Sequence, residues 1–180
     1  IVVVGMNQMG TAFGMQAALI AHYPNFLRDH NLRTTITFID DKGQIEGDYL
    51  KGRFASLFDL CRHRTIICGK NELVYDKENV DEGYIDPMEE GGRYHHLGEN
   101  FMDIQWQFIQ GDISSDEIKQ YLTDLSEDHN QITTIAICFN HPQQSIAAAL
   151  YLPGKIFRNA HQILVYQQNS FDLINKVANG

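Results

Sequence analysis

Three groups of residues have the types and spacing for phosphate and sugar chemistry. The first is Gly5-Met6-Asn7-Gln8-Met9-Gly10, a Gly-x-Asn-x-x-Gly turn between an apolar run, Ile1–Val4, and an apolar helical pattern. Such a turn lets the main chain approach a pyrophosphate, and the helix N-terminus behind it supplies free N–H groups and positive dipole. The usual fingerprint has glycine where this chain has Asn7. Asparagine tolerates left-handed backbone, so Asn7 is expected to make the turn, with a side chain that either crowds a pyrophosphate or bonds to it. The second group is Asp40-Asp41, which ends the β-branched run Thr34–Ile39. An acid at the tip of a second strand accepts hydrogen bonds from ribose hydroxyls and favours a 2′-hydroxyl over a 2′-phosphate, hence NAD, AMP or ATP over NADP. The third is Gly111-Asp112, at the end of the run Ile104–Gln110. In a parallel sheet all three lie at the same carboxyl edge, where ligands bind.

The elements that must position these residues alternate strand with helix. Strands are predicted over Ile1–Val4, Thr34–Asp41, Ile104–Asp112, Thr133–Phe139 and Gln162–Gln167. Helices are predicted over about 10–26, 48–63, 116–125 and 142–152. Ser114 or Ser115 caps the third of these, Pro142 starts the fourth and Pro153-Gly154 ends it. This order predicts a doubly wound, mostly parallel sheet with helices on both faces. From 64 to 103 the chain is polar, acidic and glycine-rich. It reads as an insertion, with a short hairpin possible between Thr65–Cys68 and Leu73–Tyr75.

Length bounds the chain to one domain of 180 residues. No apolar stretch reaches the length of a membrane span, so no membrane insertion is expected. Lys and Arg number 14 against 23 Asp and Glu, a net charge of −9. That balance argues against nucleic acid and anionic membrane surfaces, but a phosphate site built from backbone needs no Lys or Arg. Three cysteines, Cys61, Cys68 and Cys138, make no disulfide framework and read as free thiols in a reducing, cytoplasmic compartment. The chain starts without Met and inside a strand, which reads as a piece of a longer polypeptide.

Other constellations are weaker. Tyr151-x-x-x-Lys155 has the spacing of a dehydrogenase Tyr–Lys pair, but Pro153-Gly154 interrupts the helix that pair needs. His95-His96 with Asp103 has no third ligand at a fixed spacing. The Asp81–Glu90 acidic loop reads as a solvated surface. His141, at the ligand edge, reads as a helix-entry residue. No nucleophile–base–orienter set emerges, so an enzyme is not the favoured reading.

Taken together, strand-GxNxxG-helix, Phe38-Ile39-Asp40-Asp41-Lys42, Phe108-Ile109-Gln110-Gly111-Asp112 with Ser115-Asp116-Glu117-Ile118, the Gln-Gln-Ser-Ile-Ala-Ala-Ala-Leu helix and Ile163-Leu164-Val165-Tyr166 resemble the TrkA-N family. These are the RCK domains that regulate potassium channels and transporters. The resemblance implies a Rossmann-like fold and a regulatory nucleotide-binding role. By it, Gly5, Met6, Asn7, Met9 and Gly10 would contact phosphates, Asp40 would hold the ribose, and Asp112 would sit by the adenine. Phe139 or Asn140 would close over the nucleotide. NAD or NADH is the implied ligand, with AMP, ADP or ATP as alternatives, and a homodimer is the implied assembly. The chain departs from the family at Asn7, in the 64–103 insertion, and at Gln144, where the family often has Asn. Two other readings are the cofactor domain of an NAD-dependent oxidoreductase and a degenerate, non-binding interaction domain.

Overall fold

A computed structural model describes residues 1–29, 31–70, 73, 83–86 and 103–167. These residues form a six-stranded parallel sheet: β1 (Val2–Val4), β2 (Thr34–Asp40), β3 (Arg62–Ile67), β4 (Ile104–Gln110), β5 (Thr134–Ile137) and β6 (Gln162–Val165), in the order β3-β4-β2-β1-β5-β6. Val3 pairs with Phe38 on one side and Ala136 on the other. β1 is short and wholly apolar because it is central and covered on both faces, which leaves no polar side to alternate.

Alternation along the strands feeds two cores. Val3, Ile36, Phe38, Trp106 and Phe108 point to one face, under α1 (Gln8–Ile20), α2 (Gly43–Arg53) and α3 (Ala55–Phe58). Phe38 stacks on Trp106 and Phe108 with centroids 6.2 and 5.8 Å apart, and Phe58 closes on Trp106 at 5.2 Å. Val2, Val4, Ile39, Ile109 and Ile137 point to the other face, under α4 (Asp116–Glu127), α5 (Pro142–Leu150) and α6 (Gly154–Asn159). The doubly wound α/β class predicted from the element order is the class observed. The chain moves outward on one side of β1, then crosses back through α4 to β5 on the other. The topological switch therefore lies between β1 and β5.

Several boundaries differ from the sequence reading. The first helix stops at Ile20, and Pro24–Leu27 forms a separate 3₁₀ turn, because Pro24 cannot donate into a continuing helix. α2 begins at Gly43, five residues earlier than predicted, and ends at Arg53. Its early start brings backbone against the sheet: a Cβ on Gly43 would lie 2.4 Å from the Ile109 carbonyl oxygen, and one on Gly47 2.8 Å from the Phe108 ring. Residues 62–63 of the predicted helix and 64–67 of the predicted insertion instead form β3, which pairs in parallel with β4. Thr65–Ile67 is thus part of a sheet strand; the other arm proposed for the hairpin lies mostly outside the described residues. Ile85 forms an antiparallel bridge with His63 on the outer edge of β3, and Tyr84 lies 5.2 and 4.4 Å from the guanidinium groups of Arg62 and Arg64. Arg62 also pairs with Asp86 at 3.4 Å, both buried.

Candidate functional site

The Gly5–Gly10 turn is organised by two close approaches and one cap. Gly5 has φ +93°, and a Cβ there would lie 2.4 Å from the Cys138 carbonyl oxygen. A Cβ on Gly10 would lie 2.0 Å from the Gly5 oxygen, so glycine at 10 lets the helix start directly against the strand end. Asn7 does not use left-handed backbone as the sequence reading allowed; its φ is −70° and it serves as the N-cap of α1. Its Oδ1 accepts from the Gly10 N–H at 2.8 Å, and its Nδ2 donates to the Cys138 oxygen at 2.6 Å. These partners permit only this amide orientation, since one is a donor and the other an acceptor.

Asp40 is tied to the same turn. Its Oδ2 accepts from the Met6 N–H at 2.8 Å and its Oδ1 from the Lys42 N–H at 2.9 Å. A carboxylate has about four lone-pair sites, so Asp40 keeps acceptor capacity for an incoming hydroxyl beside these two bonds. The neighbouring Asp41 carboxyl is raised above its ordinary value, first by a hydrogen bond with Asp40, then by desolvation and the Asp40 charge. Asp112 moves the other way: the backbone N–H of Ser114, 2.8 Å from its Oδ1, and then the Ser114 hydroxyl hold its carboxyl below the ordinary range.

A cleft of about 730 Å³ opens at the carboxyl edge over the switch point. Gly5, Met6 and Asn7 form part of its wall, with Asp40 and Asp41 from the end of β2. Gly111 and Asp112 enter from β4, and Phe139 and Asn140 from β5. Nine of the twelve residues singled out from the sequence therefore share one cavity. Gln8, Met9 and Gly10 do not line it: the first two are exposed and the third is buried beneath the turn. The Phe139 N–H is anchored by the fully buried Ser145 Oγ at 3.0 Å, which sets the path of the loop after β5.

The sequence reading left other lining residues out of the site. His141, Gln144, Ala148 and Tyr151 present one face of α5 and its ends to the cleft, a 3–4 residue spacing that the sequence does contain. Lys42, Glu46 and Lys119 add charge from α2 and α4. Their roles depend on which helix faces lie against the crevice, which the sheet order decides and the local sequence does not.

The weaker constellations are dispersed. Tyr151 caps α5 while Lys155 belongs to α6 and pairs with Glu127 at 2.9 Å, so the two do not share a helix. Asp103 pairs with His22 Nδ1 at 2.8 Å; His95 and His96 lie outside the described residues, as does most of the acidic loop. Among the described residues no group of three metal-ligating side chains converges. Burial pushes the Cys61 thiol up to about 11 and raises Cys138, which makes both poor nucleophiles. Among the described residues no helix is long and apolar enough to cross a membrane. Comparison of the chain with protein-family models, curated proteins and solved structures finds no match to any of the three.

Proposed function

We propose that this chain is a regulatory adenine-nucleotide-binding domain of the TrkA-N/RCK type. One observation carries the reading: a glycine turn, a strand-tip acid, a Gly-Asp turn and the loop after β5 wall a single cleft at the switch point. In this reading Asp40 accepts from the ribose hydroxyls, Asp112 lies by the base, and Phe139 and Asn140 cover the ligand. Bound nucleotide changes the relative stability of two arrangements of a homodimer and passes that bias to the rest of a longer polypeptide. It does so through unequal affinity for the two states.

A second reading is a non-binding interaction domain. The internal bonds of Asn7 and Asp40 favour it, because they already occupy donors and acceptors of the turn. Thermal unfolding with NAD, NADH, NADP, AMP, ADP and ATP at millimolar concentration separates the two. A ligand at a hundred times its Kd adds about 2.7 kcal/mol, which raises Tm by several degrees. A rise with an adenine nucleotide is expected; no rise with any of the six supports the second reading.

A further inference from the structure

The side chain of Asn7 spans the switch-point crevice. Its backbone belongs to the turn after β1, yet its amide reaches the last residue before the β5 loop, with Nδ2 at 2.6 Å from the Cys138 oxygen. β1 and β5 are the two strands between which the winding reverses, and their register brings Val4 level with Ile137. In a doubly wound fold, the linking phosphates of a dinucleotide pass over this gap. Here the gap is bridged by an amide that also takes the Gly10 N–H, a donor from the first turn of α1. The Met6 N–H is likewise taken, by Asp40. Two of the turn's backbone donors are thus satisfied inside the protein before any ligand arrives.

Resting on the nucleotide reading above, we propose that Asn7 is a specificity-determining staple that makes this cleft a mononucleotide site. The ligand is a nucleoside or nucleoside monophosphate held on the β2–β4 side, where Asp40, Gly111, Asp112 and Lys119 lie. The amide carries two N–H donors and one is engaged with Cys138, so one remains for a single phosphate oxygen. A dinucleotide needs the crossing that the staple closes. It also needs a backbone approach that a glycine at this position gives and an asparagine side chain blocks.

The test is calorimetric titration of the 180-residue chain with adenosine, AMP and NAD, in the wild type and in Asn7→Gly and Asn7→Ser. Serine can still cap the Gly10 N–H but is too short to reach Cys138, so it opens the crevice even where the glycine variant does not fold. The wild type is expected to bind AMP at least tenfold more tightly than NAD. Either variant is expected to gain at least tenfold for NAD with little change for adenosine. Wild-type affinity for NAD equal to or above that for AMP, unchanged in the variants, overturns the staple and leaves the nucleotide reading standing. Absence of binding by all three ligands in all three proteins overturns both. NAD binding that appears only in the variants supports the staple and identifies the wild type as closed to dinucleotides.

Discussion

Asp40 does two things at once, and its structural task is the one already visible. It ends β2, and from there it accepts the N–H of Met6 in the glycine turn and of Lys42 at the start of α2. Removing the carboxylate leaves the half-enclosed Met6 donor without its acceptor. Asp40→Ala is therefore expected to lower unfolding free energy by about 1–3 kcal/mol in urea titrations without any ligand. A loss under about 0.5 kcal/mol would show that the turn holds itself. The consequence for binding studies is direct: a weaker ligand response in this variant reports a ribose contact only after the change in the free protein is subtracted. Asn7 is the parallel case. Its type and position were legible in the sequence, and its cap on Gly10 is local, but its second partner was not legible, because Cys138 lies 131 residues away along the chain.

At the scale of elements, glycines show where helix and sheet touch. Gly10 and Gly52 are both helical, one in α1 and one near the end of α2, and only Gly10 belongs to the glycine turn. A Cβ on Gly10 meets the Gly5 carbonyl oxygen at 2.0 Å, while one on Gly52 meets nothing within 4 Å. Gly10→Ala should cost at least about 3 kcal/mol, since backbone must shift to admit the methyl group. Gly52→Ala should add about 0.4–1 kcal/mol by restricting the unfolded chain. Chemical denaturation of the pair checks both signs; similar effects at the two sites would refute the close approach of α1 to β1. The same scale explains which elements could be read in advance. β1, β2, β4 and β5 are buried centrally, so their apolar and β-branched runs stand out. β3 does not, because Arg62 and Arg64 occupy a sheet edge. There they face Tyr84, and the Arg64 Nε donates to the buried Gln107 Oε1 at 2.6 Å, partners remote in sequence. An edge strand stabilised by long-range polar contacts carries little local pattern, so the insertion was predicted to begin inside it.

Across the whole molecule, charge sets the terms on which an anion enters. The chain carries a net charge of −9, and among the described residues the cleft has four carboxylates, Asp40, Asp41, Glu46 and Asp112, against Lys42 and Lys119. A monophosphate therefore meets a repulsive field around a site whose attraction is built from backbone and amide donors. Two like charges 10 Å apart in water repel by on the order of 0.4 kcal/mol. Several such pairs act on a doubly charged phosphate, and salt shortens their range from about 30 Å at 0.01 M to about 10 Å at 0.1 M. AMP is accordingly expected to bind roughly threefold to tenfold more tightly at 0.15 M than at 0.01 M salt, the reverse of the usual response for a phosphate held by basic side chains. Adenosine, which is uncharged, serves as the control and should show no comparable change. Titrations of both ligands at the two ionic strengths decide the matter. An AMP affinity that falls as salt rises would mean that Lys42 and Lys119 outweigh the surrounding field, and that the phosphate sits on lysine rather than on the turn.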